Sequence, residues 1–141
     1  MASDRFGMNA QQFRHLRYVS ERSDPAEVFA ACHAVLSSEP RSGSEFSDQR
    51  YAGGVLLAVR PPCPLSLPDA VRPTLPYFDL DAREWPWYLV SMFGERSVTE
   101  AFDGLAALSL TDRESRSLDT MRFWTERFGE GHGWGLDARA D

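Results

Sequence analysis

The chain has 141 residues, of which 43% are hydrophobic, and it carries a formal net charge of −6. This length predicts a single domain, 1–141, with a buried core, and no apolar run approaches the roughly 18 residues that cross a bilayer. The acidic excess argues against nucleic-acid binding and against binding to an anionic membrane, because both require a basic surface.

The residue types that the chain lacks exclude some kinds of catalytic chemistry. Lysine and isoleucine are absent, so all 15 basic residues are arginine. The codons of both missing residues are AT-rich, which indicates a GC-rich genome and, in our interpretation, a bacterial one. The absence of lysine excludes Schiff-base chemistry and a P-loop lysine. Residues 1–22 lack the apolar segment of a secretion signal, so we expect a cytoplasmic protein.

The two ends of the chain are predicted to be loosely held. Residues 1–7 precede any regular pattern, and residues 130–141 are rich in glycine. Residues 8–20 fit either a helix or a strand. The spacing of their apolar residues favours the helix.

A helix is predicted from about residue 25 to residue 37. Asp24 or Ser23 can cap it, and Pro25 fits the first turn, where no backbone donor is needed. Its apolar stripe consists of Phe29, Cys32, His33 and Leu36. The polar residues 39–49 that follow indicate a loop.

The middle of the chain predicts a strand and a long crossover. Residues 50–61 contain the continuous apolar run Val55–Val59, which favours a buried central strand. Six of the nine prolines fall within residues 61–76, so this segment is predicted to be an extended crossover with one short turn at residues 67–71. A crossover of this length is a candidate functional element.

The segment after the crossover is predicted to contain the second central strand. Residues 77–85 indicate a short strand and a turn, and residues 86–93 indicate a strand that begins at Pro86. Nearly every side chain from Trp85 to Phe93 is apolar or aromatic. A strand of this kind must be covered on both faces, either by the core or by a partner.

Two helices are predicted in the last third of the chain. Ser97 with Glu100, and Thr111 with Glu114, have the spacing of capping boxes, and Gly129 is a candidate C-cap of the second helix. The first buried stripe is Val98, Ala101, Phe102, Leu105 and Leu108, and the second is Leu118, Met121, Trp124 or Thr125, and Phe128.

Together these elements predict one small α+β domain. Its sheet of three or four strands would pack with three or four helices. The predicted core residues are Phe29, Leu36, Leu56, Leu57, Val59, Leu89, Val90, Phe102, Leu105, Leu108, Met121 and Trp124.

Asp79, Asp81 and Glu84 form the cluster that most resembles an enzyme site. On a strand, Asp79 and Asp81 would point the same way, and carboxylate oxygens can bind Mg²⁺ or Ca²⁺. The alternative is a solvated acidic turn, which is the more common arrangement and the one we favour. No metal or other cofactor is therefore assigned.

The remaining candidate nucleophiles and bases do not form a motif. Cys32 and Cys63 lack metal or redox spacing and are expected to be free thiols. His33 is expected to be a partly buried core residue that hydrogen-bonds to a neighbour. Adjacent residues of a helix diverge by about 100°, so Cys32 and His33 do not make a catalytic pair.

Exposed aromatics leave two interpretations open. The predicted strand is either buried on both faces, which is slightly favoured, or presents one apolar face to a partner. Tryptophan and tyrosine are frequent anchors at protein interfaces. In the second interpretation the partner-binding edge consists of Asp79, Asp81, Glu84, Trp85, Trp87 and Tyr88.

The sequence predicts a non-catalytic protein-binding domain that contacts a basic protein. Residues 71–141 contain thirteen acidic residues and eight arginines, so five of the six net negative charges lie there. In size, acidity and lack of a catalytic motif the chain resembles the small inhibitor and immunity proteins of bacteria, although no motif supports the resemblance. Two alternatives are a metal-dependent hydrolase using Asp79, Asp81 and Glu84, and a subunit that completes its sheet in a homodimer.

Overall fold

The structure is a computed structural model and describes residues 3–4, 8–40 and 47–128. In these residues the chain forms seven α-helices, one 3-10 turn and a hairpin of two very short strands. The strands β1, Ser3–Asp4, and β2, Met8–Asn9, pair antiparallel. The helices are α1 Ala10–Glu21, α2 Pro25–Leu36, α3 Asp48–Val59, α4 Leu67–Val71, α5 Glu84–Phe93, α6 Glu95–Ala106 and α7 Asp112–Glu126, and the 3-10 turn is Arg72–Thr74.

The predicted α+β class is wrong, and the protein is all-α apart from its two-residue strands. Both segments predicted as central strands, residues 50–61 and 86–93, are helices. A short apolar run has the same appearance in a buried strand and in a helix that is buried on all sides. A helix satisfies its backbone hydrogen bonds internally, so no neighbouring strands are needed.

Helix α3 is specified at both ends by local signals. The Ser47 hydroxyl accepts a hydrogen bond from the backbone N–H of Arg50 at 3.2 Å, which caps the first turn. Arg60 ends the helix in a left-handed conformation, with φ of 56°. Residues 49–57 are buried without interruption, so solvent contacts no face of this part of the helix.

Helix α5 is the segment that most strongly resembled a strand. Pro86 lies in its first turn, where a missing N–H disrupts no intrahelical bond. The helix ends at Gly94, whose φ of 88° is strained for any side chain, and α6 begins at the next residue. Residues 84–89 are all buried, so α5 is a central helix.

The packing order places these two helices in the middle. Helices α3 and α5 contact each other, α1 and α2 cover α3, and α6 and α7 cover α5. Helix α4, within the proline-rich segment, packs against α6. The core aromatic and large aliphatic residues at the centre of the cluster include Phe29, Leu56, Phe78, Trp85, Trp87, Tyr88, Phe102 and Met121.

Several local predictions are confirmed. Asp24 caps α2, Thr111 and Glu114 form the capping box of α7, and residues 67–71 form the predicted turn inside 61–76 as helix α4. Helix α1 confirms the helical interpretation of residues 8–20 from Ala10 onwards, whereas Met8 and Asn9 belong to β2.

Other local predictions are wrong. The Ser97–Glu100 box does not cap α6, because that helix already begins at Glu95. Leu108 is exposed, and Val59, Val90 and Trp124 are only partly buried. The remaining eight predicted core residues are buried.

Some predictions fall on parts of the chain that are only partly described. The Gly129 cap and the loose terminus at 130–141 lie outside the described residues, as does most of 1–7. Of the predicted loop 39–49, residues 48 and 49 belong to α3. Among the helices that the structure describes, none combines the length and the apolar character needed to span a membrane.

Candidate functional site

The predicted partner-binding edge lies largely inside the protein. Glu84, Trp85, Trp87 and Tyr88 are each 0% exposed. Asp79 is half-buried, and Asp81 is exposed. The interpretation of an exposed aromatic face is therefore wrong for this segment, because helix α5 directs these side chains into the core.

The three carboxylates of the metal alternative do not come together. The Asp79 carboxylate accepts hydrogen bonds from the Ser47 hydroxyl at 2.6 Å and from the backbone N–H of Asp81 at 3.0 Å. Glu84 faces Arg50 in the interior. Within residues 9–40 and 47–128, no group of three histidine, cysteine or carboxylate side chains is placed to hold a metal ion.

Arg50 and Glu84 form an ion pair in the centre of the molecule. Their side chains are 1% and 0% exposed. The Arg50 Nε donates to Glu84 Oε1 at 3.2 Å, and Nη2 donates to Oε2, so the contact is bidentate. Burial raises the pKa of Glu84, while the hydrogen bonds and charge of Arg50 act in the opposite direction. The pair joins α3 to α5 and faces no solvent.

The polar side chains around this pair hold one irregular segment, residues 77–81. The Gln49 amide donates to the Tyr77 carbonyl at 2.7 Å and accepts from the Asp79 N–H at 2.7 Å. The Trp124 indole donates to the Leu80 carbonyl at 2.8 Å. These side chains satisfy backbone groups of a segment that has no regular structure of its own. Their role is structural.

The aromatic residues of α5 are also satisfied internally. The Trp85 indole donates to the Thr74 hydroxyl at 3.2 Å, and the Trp87 indole donates to the Trp124 carbonyl at 2.7 Å. The Tyr88 hydroxyl donates to the Pro61 carbonyl at 2.6 Å. Each polar tip therefore ties α5 to another part of the fold, and none is directed to a ligand.

The histidine and cysteine predictions agree with the structure. His33 is partly buried, with Nε2 at 2.8 Å from the Ala70 carbonyl and its ring stacked on Phe29. Cys32 and Cys63 are free. Burial raises the pKa of Cys32 to about 12 and also raises that of Cys63, which keeps both thiols protonated at neutral pH.

One exposed aromatic side chain stands out on α7. Phe123 is 44% exposed, although it is a large apolar residue. The buried face of α7 carries Ser117, Leu118, Met121 and Thr125, and Phe123 lies on the opposite side of the helix. The residues on this opposite side, which we call the α7 outer face, are Asp112, Arg116, Asp119, Phe123 and Glu126.

The α7 outer face is acidic around its aromatic centre. Asp119 precedes Phe123 by four residues and Glu126 follows it by three, so both are its neighbours on the helix surface. Asp112 and Asp119 form no ion pair with a described residue, whereas Glu126 is 3.8 Å from Arg127. The Arg127 guanidinium lies over the Phe123 ring at 3.7 Å. Arg116 is a second cation beside this face, and the three carboxylates Asp112, Asp119 and Glu126 outnumber the two arginines.

A second exposed patch lies on α1. Three large hydrophobic side chains within four positions, Leu16, Tyr18 and Val19, are exposed. Only Phe13 of this helix is buried. The side opposite Phe13, which we call the α1 outer face, consists of Arg14, His15, Tyr18, Val19 and Arg22, and Leu16 lies at its edge.

The sequence contained a signal for the α7 outer face that strand-centred reasoning missed. Asp112, Asp119, Phe123 and Glu126 recur at intervals of seven, four and three, which is the spacing of one helical face. That face is opposite the predicted buried stripe. An aromatic residue there could have been identified as exposed.

Comparison with known proteins gives no relative. The chain matches no family model, no curated protein and no solved structure. The candidate site therefore depends on the chemistry of its own residues.

Proposed function

We propose that the protein is a non-catalytic binding domain that contacts a basic protein through the α7 outer face. The observation that carries this proposal is the exposure of Phe123 among carboxylates. An aromatic ring supplies apolar area to an interface, and flanking charges select the partner.

The geometry of this face suits a basic partner. Asp112 and Asp119 have no ionic partner among the described residues, so a partner's arginine or lysine can pair with them without breaking an existing ion pair. Phe123 is 44% exposed, so removing the rest of its ring from water stabilises the complex by about 0.7 to 1.3 kcal/mol before the costs of association. Arg127 stacks on one side of the ring and restricts its motion.

The small size, the net charge of −6 and the exposed anchor support the proposal that this protein acts as an inhibitor or immunity protein of a bacterial cell. In that role it would reside in the cytoplasm and block a basic toxin or effector. Charge steering would accelerate the encounter, and this acceleration would weaken as salt is added.

The test is affinity capture from the native host with two surface variants. The product of the neighbouring gene is the first partner to examine. Asp119→Arg and Phe123→Ala should each weaken binding at least tenfold while leaving the thermal unfolding of the domain unchanged.

Glu39→Arg is the matched control, because it makes the same charge change at an exposed residue outside the α7 outer face. Glu39→Arg should bind as the wild type does. Equal binding by all four proteins would show that the α7 outer face is not the contact.

A further inference from the structure

We infer that the α7 outer face of one copy binds the α1 outer face of a second copy, so that the protein associates head to tail. The inference rests on the proposed function, because it assigns to the same surface a locally basic contact, the α1 outer face of a second copy. It assigns a role to the α1 outer face, which the proposed function does not use.

The α1 and α7 outer faces carry complementary charges. Residues 10–22 carry Arg14, Arg17 and Arg22 against Glu21, a net charge of +2 in a chain whose net charge is −6. Arg17 pairs with Glu21 at 3.1 Å, and Arg14 pairs with no described residue. The α1 outer face therefore offers the arginine that the free carboxylates of α7 lack.

Both helices also expose apolar side chains. Leu16, Tyr18 and Val19 expose apolar surface on α1, as Phe123 does on α7. On both faces an arginine lies over the exposed aromatic ring, Arg22 over Tyr18 at 3.6 Å and Arg127 over Phe123. Each face thus combines the apolar centre and charged rim of a protein interface.

The two faces belong to different helices of the fold. Helix α1 packs against α3, and α7 packs against α5, with the α3–α5 contact between them. The exposed side chains of α1 and α7 are not used in this packing, and a head-to-tail assembly uses two different faces of each molecule.

A head-to-tail contact brings a net basic face against a net acidic face, whereas a symmetric contact would pair two faces of like net charge. The two helices are similar in length, with 12 and 15 residues, so one can lie along the other. Although two copies repel at long range, charges beyond about 8 Å are screened at physiological salt.

The experiment measures mass by sedimentation over a concentration series of the full chain. The average mass of the wild type should rise with concentration and return towards the monomer in high salt. Arg14→Glu and Asp119→Arg should each stay monomeric alone. An equimolar mixture of the two variants should recover association, because each supplies the face that the other lacks.

Matched controls separate these effects from a general change of charge. Arg96→Glu and Glu39→Arg alter exposed residues outside both faces and should associate as the wild type does. A monomeric wild type at every concentration would overturn the inference. So would association that neither face variant reduces.

The same variants distinguish this failure from failure of the proposed function. If the wild type is monomeric but captures another basic protein, and Asp119→Arg loses that capture, self-association is refuted and the proposed function stands. If Asp119→Arg changes neither the capture of a partner nor the average mass, the self-association and the proposed function are both refuted.

Discussion

Arg50 and Glu84 form a bidentate ion pair that is almost completely buried between α3 and α5. Two residues that the sequence separates by 34 positions thus fix how the two central helices meet. Desolvation of two charges is costly, so the pair adds little net stability over well-packed apolar residues. Replacing only one of the two residues is expected to destabilise the fold severely.

We predict that Arg50→Met lowers the free energy of unfolding by about 3 to 5 kcal/mol, because it leaves the Glu84 carboxylate buried without a counter-charge. The double variant Arg50→Met/Glu84→Leu should recover most of this loss. Urea unfolding of the two variants and the wild type measures both values. A cost below about 1 kcal/mol for the single variant would mean that the pair is not isolated from water.

The Arg50→Met variant should also be sensitive to pH. Burial already raises the pKa of Glu84 above its ordinary value of 4.5, and the variant loses the group that opposes this rise. When the pKa of a carboxyl group is higher in the folded state than in the unfolded state, the group stabilises the folded state fully at pH values below the unfolded-state pKa. This contribution is lost as the pH rises through the folded-state pKa. The deficit of the variant should therefore grow from about pH 4.5 upwards, measured by urea unfolding at several pH values.

Gly53 is expected to tolerate no side chain. A Cβ atom there would lie 3.0 Å from the Trp85 nitrogen and 3.1 Å from the Glu84 Cβ. Gly53→Ala should therefore destabilise the protein by about 1 to 3 kcal/mol, although alanine is the better helix former. Gly104→Ala, in α6, meets no atom within 4 Å and should stabilise by about 0.5 to 1 kcal/mol. Thermal unfolding of the two variants should shift in opposite directions.

Truncation of Trp87, which the sequence placed at the partner-binding edge, and truncation of Phe123 should have opposite consequences for folding and binding. Trp87 is buried and its indole is hydrogen-bonded, so Trp87→Ala should cost about 3 to 5 kcal/mol of folding free energy. Phe123→Ala should change stability by about 0.5 kcal/mol or less and reduce partner binding instead. Chemical unfolding of both variants decides this, and a stable Trp87→Ala variant would contradict the placement of α5.

Local signals in the sequence predicted the helices that carry them. Asp24 with Pro25, and Thr111 with Glu114, satisfy the backbone donors of a first turn whatever surrounds the helix. For this reason α2 and α7 were predicted close to their observed bounds.

The central helices could not be predicted by periodicity. Residues 49–57 and 84–89 are buried on all sides, and a fully buried helix has no polar face to reveal its period. The sequence correctly predicted that these segments are buried, but the prediction that they are strands was wrong. Ser47 was a cap signal for α3 that lay inside a predicted loop.

The candidate site was misplaced for the same reason. With residues 86–93 as a strand, Trp87 and Tyr88 would have opposite faces, and one of them could be exposed. As a helix between α3 and α7, the segment directs both inward. Phe123, the exposed aromatic residue of α7, lies on the outer face of a helix that the sequence did predict.

Cys32 should make the protein less stable at alkaline pH. Its pKa is about 12 in the folded state, raised by burial from 9.0. A raised pKa means that the unfolded chain loses this proton first, so stability falls as pH rises from about 9 towards 12, by up to about 1.4 kcal/mol per pH unit. Cys32→Ala removes this component and should lose stability less steeply over that range, as measured by urea unfolding.

Cys63 and Tyr88, whose pKa values are also raised by burial, remain in both proteins, so the difference between the two slopes reports Cys32 together with its electrostatic effect on Tyr88. Below pH 8 the two stabilities should differ by a constant, which reflects only the packing of the thiol. Alkylation by iodoacetamide gives an independent measure, since only the thiolate reacts. Parallel slopes between pH 9 and pH 11, with rapid alkylation at pH 8 of the folded wild type but not of Cys32→Ala, would show that the Cys32 thiol is accessible to water.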